Sequence, residues 1–160
     1  MAKINPHPIR IRPMMPADLD EVGEIERVSF PTPWSKELFK RELSLPQARS
    51  FVAVDPLDRI VGYLCFWIVA DEVHILNLAV HPEYRRKGVA TLLLAYGMDC
   101  SRKEGAREIT LEVRRSNYKA IGLYRNFRFL PQGIRRGYYS DTGEDAVIMS
   151  RKLGEGEMEG

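Results

Sequence analysis

Tyr84-Arg85-Arg86-Lys87-Gly88-Val89-Ala90-Thr91 stands between an apolar run, Ile75–Val80, and an amphipathic run, Val89–Cys100. The order reads as strand, tight basic turn, helix start. The first N–H groups of a helix lack intrahelical partners and sit at the positive end of its dipole, so such a junction readily receives a phosphate. Gly88 has no Cβ and lets a ligand approach the backbone closely. Arg86 and Lys87 add charge-assisted contacts to phosphate oxygens. The G-x-G-x-x-G dinucleotide fingerprint and the G-x-x-x-x-G-K-[ST] triphosphate loop are both absent from this segment. Taken alone, the same pattern suits a solvated basic loop.

Outward from the turn, the helix after Gly88 is expected to bury Val89, Leu92, Leu93 and Tyr96 and to end near Gly105. Ile109–Val113 is the next strand. The strand–helix–strand order from Val73 to Val113 gives one parallel crossover. Upstream, Ile9–Pro13 alternates like a strand, and Pro16 opens a helix with Leu19, Val22, Ile25 and Val28 on one face. Pro31-Thr32-Pro33 ends that helix, and Ser35 is the N-cap of a second. Phe51–Val54 and Ile60–Val69 form a strand pair around Asp55–Arg59. Downstream come a helix, Tyr118–Arg125, and closing strands at Phe127–Leu130 and Val147–Met149, joined by the tyrosine-containing loop Gly137–Ala146. Residues 9–153 form one α/β domain, with a flexible Met1–Pro8 before it and a disordered acidic tail, Gly154–Gly160, after it.

With 160 residues and a net charge of +2, the chain carries no global signal for nucleic acid or membrane. Its basic residues are clustered at Arg85–Lys87, Arg114-Arg115 and Arg135-Arg136, which points to local anion binding. Cys65 and Cys100 read as small hydrophobes rather than a disulfide or a nucleophile. His7, His74 and His81 have no metal-ligand spacing, so no metal is expected. No bilayer-spanning run and no signal-peptide core are present, and the expected location is the cytoplasm.

A second segment, Thr110-Leu111-Glu112-Val113-Arg114-Arg115-Ser116-Asn117, runs from strand to turn. The two-residue period of a strand sends Leu111 and Val113 one way and Glu112 the other. A carboxylate there is either a solvent-facing member of a salt bridge or a general base beside a cleft. Tyr124, on the following helix, is either an ordinary amphipathic packing residue or a polar handle for chemistry.

Together these segments resemble the GCN5-related N-acetyltransferase superfamily, and within it the ribosomal-protein alanine N-acetyltransferases (RimI type) and the archaeal amino-terminal acetyltransferases. The resemblance runs from about Ile9 to Leu153. It is carried by Pro33-Trp34-Ser35, Asn77-Leu78-Ala79-Val80, Arg85 through Ala90, Leu111-Glu112-Val113-Arg114, Ser116-Asn117, Leu123-Tyr124, and Tyr138-Tyr139 with Glu144-Asp145-Ala146. Two departures stand out. The turn ends in Ala90 where glycine is frequent, and Phe127-Arg128-Phe129 replaces the usual L-G-F, which bears on the helix ending.

The resemblance implies a mixed, mostly antiparallel sheet flanked by helices, with a splayed parallel strand pair at an acetyl-CoA site. Leu78, Ala79 and Val80 would bond the pantetheine arm through their backbone. Arg86, Lys87, Gly88, Val89, Ala90 and Thr91 would surround the pyrophosphate, and Asn117 would add a cofactor contact. Glu112 matches the general base, acting through water, and partial desolvation is expected to raise its pKa. Tyr124 matches the general acid for the departing thiolate. A main-chain N–H near Val80 is the implied oxyanion donor, and transfer is direct, in a ternary complex. Trp34, Tyr138 and Tyr139 match peptide-binding walls, although simple hairpin packing explains the tyrosines equally well. Asp145 either orients the loop or meets the substrate. The implied acceptor is the amino-terminal alanine of a ribosomal protein, and the implied assembly a monomer or weak homodimer. The alternatives are a broader archaeal-type amino-terminal acetyltransferase, a lysine or small-amine acetyltransferase, and a noncatalytic RNA- or ribosome-binding module.

Overall fold

The structure, a computed structural model, describes residues 8–154. The expected flexible amino terminus and acidic tail lie outside the described residues, apart from Pro8 and Gly154. In chain order the elements are β1 (Arg10–Pro13), a 3-10 turn (Pro16–Asp18), α1 (Leu19–Ser29), α2 (Lys36–Glu42), β2 (Ala48–Val54), β3 (Ile60–Val69) and β4 (Glu72–Val80). A second 3-10 turn (Pro82–Tyr84), α3 (Val89–Lys103), β5 (Glu108–Arg114), α4 (Tyr118–Asn126), β6 (Leu130–Tyr139) and β7 (Glu144–Lys152) complete it. The strands hydrogen-bond in the order β1-β2-β3-β4-β5-β7-β6, a mixed sheet of the expected α/β class. β4 and β5 are parallel, as the crossover requires. Their register covers only Glu72–His74 against Glu108–Thr110, while β4 continues to Val80 and β5 to Arg114.

The chain divides into two compact units, Met1–Cys65 with Asn77–Tyr96 and Phe66–Leu76 with Gly97–Gly160. In the first, Pro16 opens the 3-10 turn before α1, and Leu19, Val22 and Ile25 are buried as their spacing predicts. Val28 is not: it is 63% exposed, and Glu26, seven residues after Leu19 and four after Val22, takes the inward position instead. Ser35 caps α2, its Oγ accepting the Leu38 N–H at 3.1 Å. The Phe39 ring lies between Trp34, at 5.1 Å, and Tyr63, at 5.7 Å. In α3, Val89 and Leu93 are buried, but Leu92 and Tyr96 form a partly exposed rim, with Tyr96 edge-on to Phe51 at 5.0 Å. A Cβ at Gly62 of β3 would lie 3.0 Å from the Ala79 carbonyl oxygen and 3.1 Å from Leu93 Cδ1 and Val89 Cγ1. A side chain here would push the first turns of α3 or the Ala79 carbonyl back by a few tenths of an ångström.

In the second unit β5 alternates as expected, with Leu111 and Val113 buried and paired with Met149 and Val147 of β7. β6 and β7 are longer than the pattern predicts. Tyr138 and Tyr139 end a strand, and the connecting turn shrinks to residues 140–143, with Gly143 at φ +75°. Phe127–Phe129 is not a strand but the tight ending of α4. Arg128 adopts φ +68°, its N–H donates to the Arg125 carbonyl at 2.8 Å, and the Phe129 N–H reaches back to Tyr124 at 3.0 Å. The helix ending usually built with glycine is therefore built here with arginine, and Phe127 and Phe129 are buried on either side of it.

A left-handed non-glycine residue costs about 1–2 kcal/mol, and glycine gives back about 0.4–1 kcal/mol through unfolded-chain entropy. Arg128→Gly should therefore stabilise the protein by about 0.5–1 kcal/mol, read as a raised urea midpoint at unchanged slope. A lowered midpoint would mean that the Arg128 side chain contributes more than its backbone strain removes.

Candidate active site

The basic turn belongs to the first unit. After β4 the His81 N–H donates to the Val61 carbonyl at 2.8 Å, which starts the Pro82–Tyr84 turn. The Arg85 Nε donates to the Val80 carbonyl at 3.2 Å and ties the turn to the strand before it. Arg86 and Gly88 both have positive φ, at +64° and +80°. α3 then begins, its first closing bond running from the Leu92 N–H to the Gly88 carbonyl at 3.0 Å. The N–H groups ahead of Leu92 have no intrahelical acceptor. A Cβ built on Gly88 would meet nothing within 4 Å, so the space over this backbone is open.

A buried carboxylate holds the turn from beneath. Asp55, 1% exposed, accepts the Tyr84 hydroxyl at 2.7 Å, the Arg59 Nε at 2.9 Å, and the Leu57 and Arg59 backbone N–H groups at 2.9 Å each. Burial works against its charge. The Tyr84 hydroxyl and Arg59 outweigh that and hold the carboxyl at about 2. The Tyr84 ring in turn lies under Lys87, with Nζ 5.5 Å from its centroid.

The second unit carries the carboxylate singled out in the sequence. Glu112 is largely covered. Its Oε1 lies 2.6 Å from the Nε2 of His74 and its Oε2 lies 3.6 Å from the Nε of Arg135. The His74 hydrogen bond outweighs burial and, with Arg135, holds the Glu112 carboxyl below the usual glutamate range. The expected raised pKa is thus corrected: desolvation is present, but two cationic or donor partners overcome it. As a carboxylate only accepts, His74 Nε2 is the donor in this pair.

Tyr124 is buried, its ring 5.6 Å from that of Phe129. Burial, with Tyr139 nearby, raises its phenol well above the ordinary tyrosine value, so it keeps its proton at neutral pH. Tyr138 and Tyr139 stand edge-to-face at 5.1 Å. The Arg114 guanidinium lies 4.0 Å from the Tyr139 ring centroid and pairs with Asp141 at 2.7 Å. Asp145 accepts the Gly137 N–H at 2.9 Å, so it orients the hairpin. Asn117 caps α4, its Oδ1 accepting the Ala120 N–H at 3.2 Å. In the first unit, Trp34 packs on Phe39, and its N–H donates to Glu26 at 2.9 Å. Leu78 and Val80 are half-buried and Ala79 is buried. Among the described residues no cluster of metal-ligating side chains forms, and no helix is long and apolar enough to cross a membrane.

The model of the acetyltransferase (GNAT) family matches residues 19–129. The chain belongs to this family. A putative ribosomal protein bS18-alanine N-acetyltransferase of Bacillus subtilis is 40% identical to it, over 87% of this chain and 92% of that protein. An N-alpha-acetyltransferase of Saccharolobus solfataricus is 36% identical, over 85% of this chain and 88% of the relative. The crystal structure of the ribosomal-protein-S18-alanine N-acetyltransferase from Escherichia coli superposes with a TM-score of 0.83 at 32% identity, covering 94% of this chain and 99% of that one. For a GNAT acetyltransferase the turn is chemically suitable: open glycine backbone, a helix start and two cations match the pyrophosphate of acetyl-CoA.

The sequence pattern does not mark His74 or Asp55 as site residues, and it marks Arg135 only as part of a basic pair for anion binding, whereas here it faces Glu112. His74 reaches Glu112 only through the parallel register, which single-sequence spacing does not reveal. Asp55 was readable only as a turn residue. Its charge gives a pH test. An aspartate that titrates near ~3.9 when unfolded and at about 2 when folded stabilises the fold above pH ~4 and loses that contribution as the pH falls towards ~2. Asp55→Asn should therefore be less stable than the parent at neutral pH, with the gap narrowing across that acid window in denaturant titrations. A gap independent of pH would show that the charge is not what holds the turn.

Proposed function

We propose that this GNAT acetyltransferase is an N-terminal protein acetyltransferase acting in the cytoplasm, with the amino-terminal alanine of a ribosomal protein as its favoured acceptor. Acetyl-CoA supplies the activated acyl group. The observation that carries the chemical reading is the ionised Glu112 held against His74 at 2.6 Å. Glu112 receives the proton of the acceptor amine through water; His74 occupies Oε1, and Oε2, with only the more distant Arg135 beside it, takes the proton. Tyr124 holds its proton on Oη and donates it to the leaving sulfur. Leu78, Ala79 and Val80 bind the pantetheine arm through their backbone; Arg86, Lys87, Gly88, Val89, Ala90 and Thr91 bind the pyrophosphate, and Asn117 adds a contact. Trp34, Tyr138 and Tyr139 wall the acceptor. Transfer is direct, within a ternary complex. A cysteine nucleophile is unnecessary, and burial pushes the Cys65 thiol up to about 12, which suppresses its thiolate.

The acceptor assignment is supported by the 40% identity to the putative ribosomal protein bS18-alanine N-acetyltransferase of Bacillus subtilis. The Saccharolobus solfataricus relative, an N-alpha-acetyltransferase, supports a second reading with a broader choice of amino termini. Incubation with acetyl-CoA and a mixed library of short peptides, followed by mass mapping, should place the acetyl group on α-amines, alanine first. Exclusive modification of internal lysines would overturn both readings.

Glu112→Gln should lower kcat by at least about 100-fold, the usual scale of general base catalysis, while the acetyl-CoA affinity stays close to that of the parent. Because Glu112 titrates below the ordinary glutamate range, its protonation should not shape the kcat/KM profile above pH ~5. The profile should instead follow the acceptor amine, pass half its maximum near pH ~8 and level off above about pH 9. A limb between about pH 6 and 7 that disappears in Glu112→Gln would restore the raised-pKa assignment.

A further inference from the structure

Glu26 is a carboxylate that is 1% exposed, on a helix face otherwise built of Leu19, Val22 and Ile25. Among the described residues no cation pairs with it. Three neutral donors surround it instead. Its Oε1 accepts the Tyr63 hydroxyl of β3 and the Asn77 Nδ2 of β4 at 3.0 Å, and its Oε2 accepts the Trp34 backbone N–H at 2.9 Å. Burial raises its carboxyl above the usual range against the pull of all three. A buried charge without a counterion is a costly way to fill a helix face that a leucine could fill.

The position of the donors accounts for it. Asn77 immediately precedes Leu78–Val80. Trp34 closes the Phe30–Trp34 segment, which contains two prolines and therefore offers few N–H groups by which it can be fixed. The segment leaves α1 through the helix-closing bond from the Phe30 N–H to the backbone carbonyl of residue 26 at 3.1 Å, and the Glu26 carboxylate holds its far end at the Trp34 N–H. We propose that Glu26 is a positioning residue that ties the acetyl-CoA strand, through Asn77, to the acceptor wall, through the Trp34 N–H. This rests on the reading above, in which Leu78–Val80 take the cofactor and Trp34 faces the acceptor. A carboxylate is suited to the task because it accepts at both oxygens and never presents a donor to either strand or wall.

Glu26→Gln keeps the volume but offers one acceptor oxygen and turns an NH2 towards one of the donors. In this variant the KM for acetyl-CoA and the KM for an amino-terminal acceptor peptide should both rise about tenfold, the scale of one lost hydrogen bond to a charged group. Asn77→Ala should weaken acetyl-CoA alone, read as its calorimetric Kd. Tyr63→Phe removes a hydroxyl that reaches neither segment, so it should lower Tm while both constants stay within about twofold. Glu26→Gln constants equal to those of the parent, or Tyr63→Phe constants that rise as much, would reduce Glu26 to a polar core residue and overturn the proposal. Should Glu26→Gln fail to fold, Asn77→Ala decides, and an unchanged acetyl-CoA Kd overturns it. Should the parent acetylate no peptide amino terminus, it is the functional reading that fails, and the acetyl-CoA Kd still decides the role of Glu26.

Discussion

A carboxylate kept from water needs compensation, and the position of Glu112 beside His74 and Arg135 is the constraint from which the chemistry follows. Among the described residues, Asp55, Glu112 and Glu26 meet the same problem and solve it differently. Asp55 has an arginine, a tyrosine hydroxyl and two backbone donors, and its pKa falls to about 2. Glu112 has a histidine donor and a more distant guanidinium, and its pKa falls. Glu26 has only neutral dipoles, and its pKa rises. The direction follows the partners: at Asp55 and Glu112 strong donors together with an arginine outweigh burial, whereas the three neutral donors at Glu26 reduce its effect without overcoming it.

The features legible in the sequence were those that depend on neighbours along the chain. The basic turn before α3, the Ser35 cap, the alternation of β5 and the parallel crossover all rest on local periodicity or on unpaired helix ends, which a single sequence displays. The features that were not legible depend on contacts distant in sequence. Val28 satisfies the helical spacing of α1 yet points outward, because Glu26 is drawn inward by partners 37 and 51 residues away. The close packing over Gly62 arises from Ala79, Val89 and Leu93. His74, read only as a histidine without metal spacing, reaches its partner 38 residues further on. Among the candidate site residues, Glu112, Tyr124 and the tyrosine pair were found through family resemblance. Their electrostatic settings are not legible there, because burial and Tyr139 set that of Tyr124, His74 and Arg135 that of Glu112, and burial and Arg114 that of Tyr139.

Backbone conformation separates two uses of glycine. Gly88 takes φ +80° with open space around its missing Cβ, so its value lies in conformation and access. Gly62 lies within strand β3 with neighbours 3.0–3.1 Å from where a Cβ would sit, so its value lies in close packing. Arg128 shows that the left-handed state does not demand glycine when the surrounding bonds are sufficient. The Phe127, Arg128 and Phe129 N–H groups all return to carbonyls of α4, and two buried phenylalanines flank the strained residue. The loss of the usual glycine therefore alters the stability of the helix ending but leaves its path intact.

The lowered pKa of Glu112 also bears on which amine such a site can serve. A carboxylate held below its ordinary range is a weak base, and it can accept a proton efficiently only from an amine that releases one without much help. An α-ammonium titrates near ~8, so roughly a tenth of it is already neutral at pH ~7. A lysine side chain titrates near ~10.4, and bringing it to the same neutral fraction requires about 3 kcal/mol more. An enzyme built for lysine would need an unpartnered, raised carboxylate or some means of desolvating the ammonium. The His74 and Arg135 contacts work in the opposite direction, which agrees with the proposed use of protein amino termini.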